Sequence, residues 1–198
     1  MKRFAASRLS AVKNNNNGGG EGLCISDEQT LLHTRIGDVY SATVANLRTG
    51  REARFYRFGF TDWVNVIAQT SDLQLILVRQ FRFGSQQFEL EIPGGAIERD
   101  ELPLAAGLRE LLEETGYAGK NGRIIGKVRP NPALQDNWCY TILVEEVESV
   151  AEQKMDEMED IEVVTLPLAE VDRLIKEEKI THGLVLNALM FYQRIRKV

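Results

Sequence analysis

The stretch GGAIERDELPLAAGLRELLEETGY, residues 94–117, decides the fold of this 198-residue chain. It opens with two adjacent glycines, which allow a tight turn of the backbone. A helix is predicted over Pro103–Thr115, because proline suits the first turn of a helix and Gly116 suits the position just past its end. The stretch therefore predicts a glycine turn followed by a capped helix.

Three carboxylates fall on one face of that predicted helix. Glu110, Glu113 and Glu114 are three and four residues apart, a spacing that brings side chains to the same side. Because like charges repel, such a face favours a compensating cation, and carboxylate oxygens beside a glycine turn suit Mg²⁺ or Mn²⁺. The alternative is a solvated acidic helix with an ion pair between Arg109 and Glu113.

The spacing of the charged residues decides between these interpretations. The stretch reads Gx₅Ex₇REUxEExGU, with U apolar, and its fixed residues are Gly95, Glu101, Arg109, Glu110, Glu113, Glu114 and Gly116. At roughly 6% usage per residue, a chance match in a chain of this length is on the order of one in a million. The sequence resembles the Nudix hydrolases, whose signature this is. Tyr117 departs mildly from the aliphatic residue that is usual there.

This resemblance implies an α/β (α+β) Nudix fold, a mixed, twisted β-sheet between helices, with an N-terminal antiparallel β-hairpin region. It also implies hydrolysis of a nucleoside diphosphate linked to another group, with Mg²⁺ or Mn²⁺. By match to the signature, the metal ligands are Glu110, Glu114, Glu113 and the carbonyl of Gly94. Glu113 is a ligand or orients metal-bound water, Arg109 holds the glutamates by ion pairing, and Glu101 supports the loop.

Residues that flank the signature resemble the branch that cleaves ADP-ribose and nucleoside diphosphate sugars. The similarity lies in Val78–Arg82 and Glu89–Gly95, where Arg82 is implied to contact the substrate's phosphates. Glu91 and Arg79 are further candidates for substrate binding, and the alternative for each is an ordinary strand residue.

A late acidic segment resembles the loop that supplies the general base in this branch. Glu157 is the first candidate for the base and Glu159 the second, and the alternative is an acidic loop with no catalytic part. Pro132 is a further feature of ADP-ribose pyrophosphatases, although the residues around it differ from the usual loop.

The resemblance extends over roughly Tyr40–Ile195, and it implies a homodimer. In this branch the N-terminal strands often exchange between subunits, and residues of both subunits line the adenine pocket. Aromatic side chains that would stack on adenine or form the dimer contact are Phe55, Tyr56, Phe58, Phe60 and Trp63, although each alone suits a core position as well. The predicted organisation is a flexible tail, 1–22, and one Nudix domain, 23–198, whose residues 23–62 form the N-terminal strands.

The remaining secondary structure follows from alternation and helical periodicity. The strands are predicted at Val39–Leu47, Glu52–Phe60, Trp63–Gln69, Leu73–Arg79, Phe88–Ile92, Arg123–Val128, Trp138–Glu145 and Ile161–Leu166. Two later helices are predicted at Leu168–Lys176 and Gly183–Ile195.

Composition excludes several classes of protein. A formal charge of −5 disfavours a nucleic-acid binder, and no apolar run is long enough to span a membrane. Two distant cysteines predict reduced thiols and a cytoplasmic location. The alternative is an organellar location, if the basic segment Met1–Lys13 is a targeting peptide.

Three rival functions fit the sequence less well than this interpretation. A P-loop is absent because Gly122–Val128 has the wrong glycine spacing and lacks the hydroxyl residue. A non-catalytic nucleotide-sugar sensor of the same fold is disfavoured, since every acidic residue of the signature is present. A Nudix hydrolase for a dinucleoside polyphosphate or a modified nucleotide is the remaining alternative.

Overall fold

The structure, a computed structural model, describes residues 22–155 and 160–196. These residues divide into two compact units, the first made of residues 22–60 and Asn131–Asp136 and the second of Thr61–Pro130 and residues 137–155 and 160–196. The predicted tail lies outside the described residues except for Gly22, whose carbonyl accepts a hydrogen bond from the Leu47 N–H at 2.7 Å.

The first unit is an antiparallel sheet of three strands, β1 (Leu23–Thr34), β2 (Gly37–Asn46) and β3 (Arg51–Phe60). The predicted hairpin is confirmed, since β2 pairs with β3 along its whole length. Its turn forms because the Asn46 side chain accepts hydrogen bonds from the N–H groups of Arg48 and Thr49. Strand β1 lies in the predicted region of N-terminal strands, 23–62, but the sequence pattern did not predict where this strand begins and ends.

The second unit contains a mixed sheet whose strands are β4 (Trp63–Gln69), β5 (Gln74–Arg82), β6 (Gln87–Glu91), β7 (Gly94–Ala96), β9 (Asn121–Val128), β10 (Cys139–Glu145) and β12 (Ile161–Pro167). Their order in the sheet is β12-β5-β4-β10-β9, and in addition β6 pairs with β5 and β7 pairs with β4. Only the β4–β10 pairing among these is parallel. The two-residue strands β8 (Tyr117–Ala118) and β11 (Glu148–Ser149) pair with each other.

In the part of the chain that the structure describes, three helices cover this sheet, α1 (Pro103–Thr115), α2 (Leu168–Lys176) and α3 (Gly183–Arg196). Successive residues of the central strand β4 belong to different cores: Val66 packs in a cluster with Leu111 of α1, and Ile67 in a cluster with Leu189 of α3. Because neighbouring residues of a strand point to opposite faces, the sheet has a hydrophobic core on each side. The predicted fold, a mixed sheet between helices, is confirmed.

Helix α1 has the predicted bounds. Gly116 follows it in the left-handed conformation, with a φ of 72°, and its N–H donates to the Leu112 carbonyl at 2.8 Å. Gly107 allows the helix to lie close to the sheet, since a Cβ there would be 2.3 Å from Ile142 Cδ1. The helix is therefore held at both its end and its middle, which sets the position of its acidic face.

Both cysteines are free thiols. Burial is the main cause that raises the pKa of Cys139 to about 12, so this thiol is an inert core residue. Within the part of the chain that the structure describes, no helix is long and apolar enough to cross a membrane.

Candidate active site

The Gly94–Gly95 turn packs against the acidic face of α1. The Gly94 N–H donates a hydrogen bond of 2.9 Å to the buried carboxylate of Glu114. A Cβ on Gly94 would lie 2.3 Å from the Val64 carbonyl oxygen, and a Cβ on Gly95 would lie 2.2 Å from Glu110 Oε1. A side chain at position 94 would clash with the backbone, so glycine is required there, whereas a side chain at position 95 would displace the carboxylate of Glu110.

Arg109 connects the acidic residues of the helix and the preceding loop. Its guanidinium donates to both oxygens of Glu101 at 3.0 Å, to Glu110 at 2.9 Å and to Glu113 at 3.0 Å. It also donates to the Ala96 carbonyl at 3.2 Å, which joins the helix to β7. The hydrogen bond from Arg109 is the main cause that lowers the pKa of Glu101.

The carboxylates share one face of α1, but they are not gathered around one point. Within residues 22–155 and 160–196, no three His, Cys, Asp or Glu side chains lie together in a group that could hold a metal ion. One oxygen each of Glu110 and Glu113 binds Arg109, and one oxygen of Glu114 accepts from Gly94. The donor chemistry nevertheless fits Mg²⁺ or Mn²⁺, because all three groups are hard oxygen donors beside a glycine turn.

A second charged group lies at the ends of β5 and β6. Arg82 donates from Nε to Glu91 Oε1 and from Nη2 to Glu91 Oε2, both at 2.8 Å. The Glu91 side chain is only 4% exposed. Burial by itself would raise the pKa of Glu91, but the hydrogen bonds from Arg82 and the nearby imidazole of His182 outweigh it and bring the pKa to about 2. Glu91 is therefore ionised and holds the guanidinium of Arg82 through two hydrogen bonds.

A cavity of about 530 Å³ lies beside this pair. Its wall includes the predicted residues Trp63, Arg82 and Glu91, with segments 83–85 and 181–184. Arg79, the fourth predicted substrate residue, does not line it: its guanidinium lies over the Phe88 ring at 4.3 Å and pairs with Glu162 at 3.4 Å.

The cavity and the glycine turn are adjacent along β4. Trp63 pairs with Ala96 of β7, and Asn65 pairs with Gly94. The indole N–H of Trp63 donates to Asn65 Oδ1 at 3.2 Å, which orients the ring. A cavity with a fixed guanidinium next to a turn with several carboxylates is an arrangement suited to a phosphorylated substrate.

Comparison with known families agrees with this geometry. A family model described as the NUDIX domain matches residues 60–188, well over half of the chain. The chain belongs to the Nudix family. The predicted Nudix box, residues 95–117, falls within the matched range, and the Arg82–Glu91 pair lies just before it in the sequence.

Individual relatives share much of the Nudix chain. The ADP-ribose pyrophosphatase of Bacillus subtilis (strain 168) is 32% identical over 171 residues, which is 85% of this chain and 91% of the relative. A mouse ADP-sugar pyrophosphatase is 36% identical over 116 residues, 54% of this chain and 53% of the relative. A crystal structure described as an ADP compounds hydrolase superimposes with a TM-score of 0.81 at 21% identity, over 91% of this chain and 97% of the other, which shows the shared fold.

Two residues of the Nudix site had no role in the sequence prediction. Asn65 orients Trp63 and packs against Gly94, and His182 Nδ1 lies 3.3 Å from Glu91 Oε2. Asn65 lies in a stretch whose sequence pattern predicts a strand and nothing further. His182 is far from Glu91 in the sequence, and only its being one of two histidines could have drawn attention to it.

The described part of the structure does not bring the remaining predicted residues to this site. The candidate bases Glu157 and Glu159 lie outside the described residues. The predicted aromatic residues other than Trp63 belong to β3 of the first unit, where Phe58 and Phe60 stack at 5.8 Å and Phe55 and Tyr56 are exposed. Pro132 belongs to the segment Asn131–Asp136, which pairs with β3 through a 2.7 Å hydrogen bond from Phe58 N–H to the Leu134 carbonyl.

Proposed function

We propose that this Nudix chain hydrolyses the pyrophosphate bond of ADP-ribose or of a nucleoside diphosphate sugar, giving a nucleoside monophosphate and a sugar phosphate. The observation that carries the proposal is the cavity in which Arg82 is held by the buried, ionised Glu91 beside the Nudix box. The names of the Bacillus subtilis and mouse relatives support the choice of substrate.

Arg82 binds the substrate in this proposal. A guanidinium donates to phosphate oxygens through charge-assisted hydrogen bonds, and its two contacts with Glu91 hold it in the cavity wall. Trp63 lies on the same wall and offers an aromatic surface to the rest of the substrate. Arg79 is kept as a peripheral candidate only, because its partners Phe88 and Glu162 hold it elsewhere.

A divalent cation, Mg²⁺ or Mn²⁺, would be held by Glu110, Glu113, Glu114 and the carbonyl of Gly94, and would supply charge neutralisation at the pyrophosphate and acidification of a bound water. Arg109 holds the carboxylates of Glu101, Glu110 and Glu113 in place through its ion pairs. Glu101 in turn holds Arg109 against the loop, so these two residues position the ligands without being ligands themselves.

The general base is assigned to Glu157, with Glu159 as the second candidate. The support is the resemblance of this acidic segment to the base-supplying loop of the ADP-ribose branch. A carboxylate there accepts a proton from the attacking water, which requires it to reach the substrate when substrate is bound.

The test is mass spectrometry of the products from a panel of compounds with Mg²⁺. The panel contains ADP-ribose, GDP-mannose, UDP-glucose, a dinucleoside polyphosphate and nucleoside triphosphates. Formation of AMP and a sugar phosphate is expected. Cleavage of the dinucleoside polyphosphate alone would assign the second Nudix activity instead, and tight binding without cleavage would assign a sensor.

The Glu114→Gln variant is the blank for this panel. Its amide oxygen can still accept the Gly94 N–H, so the fold is retained, but the charge is lost, and turnover is expected to fall at least about a hundredfold. Glu98→Gln, an exposed acidic residue of the same loop, is the matched control and keeps its turnover. Unchanged turnover of Glu114→Gln at saturating Mg²⁺ would contradict the metal assignment.

A second pair of variants, Glu157→Gln and Glu159→Gln, tests the general base. The variant with the larger loss of kcat identifies the base.

We also infer a homodimer and a cytoplasmic location. Exposed apolar side chains on the strands of the first unit, such as Ile25 and Phe55, support the dimer. The free thiols of Cys24 and Cys139 support a reducing compartment, with an organelle as the alternative if Met1–Lys13 is a targeting peptide. Fractionation of cells that produce the full chain separates the two locations.

A further inference from the structure

His182 stands at the start of α3 with its imidazole turned to Glu91. Nδ1 lies 3.3 Å from Glu91 Oε2, the same oxygen that accepts the Arg82 Nη2 hydrogen bond at 2.8 Å. Nδ1 is buried, and among the described residues it makes no hydrogen bond of acceptable angle, so its close approach to Glu91 is the contact to be explained. The Glu91 carboxylate therefore contacts two groups, the guanidinium of Arg82, which is always charged, and the imidazole of His182, which is charged only when protonated.

The side chain of His182 is not needed to begin the helix. The His182 carbonyl accepts the Leu186 N–H at 3.1 Å, and every residue has such a carbonyl. The imidazole instead forms part of the cavity wall, together with Arg82 and Glu91. The placement of the imidazole therefore indicates a role in the cavity and not in the stability of α3.

The charges around the imidazole are few. Arg82 of β5 and Glu89 and Glu91 of β6 are the charged residues of the cavity wall, while Trp63 of β4 and segment 181–184 add none besides His182. The Arg82–Glu91 pair is neutral as a unit. With Glu89 included, the wall carries one net negative charge when His182 is neutral and none when His182 is protonated, so protonation would strengthen the binding of a pyrophosphate.

We propose that His182 is a positioning residue that tunes the affinity of the cavity for the substrate's phosphates, acting through the Glu91 carboxylate on the guanidinium of Arg82. This inference rests on the proposed function, because the ligand it concerns is a pyrophosphate. Histidine is the side chain whose charge ordinarily changes near neutral pH, so the affinity is expected to fall as the pH rises. The pyrophosphate of ADP-ribose stays fully charged over the same range and adds no titration of its own.

The experiment measures kcat and KM for ADP-ribose from about pH 5.5 to pH 8.5 in the full chain. The wild type is expected to show a KM that rises about threefold to tenfold with pH. In His182→Gln the KM is expected to be high and independent of pH, with kcat nearly unchanged. His182→Lys, which keeps a positive charge throughout, should give a low KM at every pH. Circular dichroism checks that both variants retain the fold.

His33→Gln is the matched control, since His33 is the other histidine of the chain and pairs with Asp38 in the first unit. It is expected to keep the pH dependence of the wild type. Identical KM profiles for wild type and His182→Gln would overturn the proposal, and so would a pH dependence lost in His33→Gln or a high KM in His182→Lys.

A failure of the proposed function gives a different result. If ADP-ribose is bound but not cleaved, the same variants are compared by calorimetry at pH 6 and pH 8, and the same differences in Kd support or overturn the assignment of His182. A chain that neither cleaves nor binds ADP-ribose overturns both proposals.

Discussion

Glu91 shows how one buried charge can be stable. A carboxylate that is only 4% exposed would ordinarily take up a proton, because the interior stabilises a charge poorly. Two hydrogen bonds from Arg82 at 2.8 Å and the nearby His182 reverse this effect and bring the pKa of Glu91 to about 2. The residue therefore stabilises the fold only while it is ionised.

The pH dependence of stability tests this account. The pKa of Glu91 is lower in the folded chain, about 2, than its ordinary value of 4.5. Its contribution is thus complete above about pH 4.5 and is lost as the pH falls toward 2. Between pH 5 and pH 3, the free energy of unfolding in urea is expected to fall by about 2 kcal/mol more for the wild type than for Glu91→Gln. Parallel stability curves for the two proteins would show that Glu91 is not held in this way.

At the scale of one element, the end of α1 is set by backbone conformation and by close packing together. Gly116 has a φ of 72°, and a Cβ there would lie 2.1 Å from the Ala151 carbonyl oxygen. The N–H groups of Val150 and Ala151 donate to the Gly116 carbonyl at 2.9 and 3.2 Å. The end of the helix is thereby fastened to the following segment.

Two alanine variants separate these causes. Gly50→Ala has the left-handed strain alone, since its φ is 67° and nothing lies within 4 Å of the added Cβ. We expect it to cost about 1–2 kcal/mol of unfolding free energy. Gly116→Ala adds the clash with Ala151 and should cost about 1–3 kcal/mol more, measured by urea unfolding. Equal losses in the two variants would rule out the packing contribution.

At the scale of the whole molecule, the two units bury their strands differently. The sheet of the second unit has a hydrophobic core on each face, and its central strand β4 is buried along almost its whole length. Strands of the first unit instead expose large apolar residues, among them Leu23, Ile25, Leu32, Phe55 and Tyr56. Such a surface is typical of one that another chain covers.

We expect the protein to sediment at about twice its monomer mass of 22.4 kDa. Phe55→Glu places a charge on the exposed side of β3 and should shift the sedimentation of a micromolar sample toward the monomer, because a buried charge without a partner is costly. Glu52→Gln, at an exposed position of the same strand, is the control and should remain a dimer. A wild type that is monomeric at this concentration contradicts the dimer.

Local chemistry made much of this protein predictable from the sequence. Helix α1 has the predicted bounds because proline and glycine limit the backbone at its two ends, and most strands were found from the alternation of apolar residues. The two-residue strands β8 and β11 were not predicted, since two residues cannot show a period. The family was predictable because the box combines its acidic residues in one short stretch.

Residues close together in the sequence were enough to predict the Nudix box and the helix that presents it, and the fold followed from the resemblance that the box carries. Only the tertiary structure decided which distant residues meet. It placed Arg79 against Phe88 and Glu162, oriented Trp63 through Asn65, and brought His182, the residue just before α3, to the carboxylate that holds Arg82. The physical reason is that these contacts depend on the packing of strands and helices far apart in the chain, and no local pattern of residue types encodes that packing.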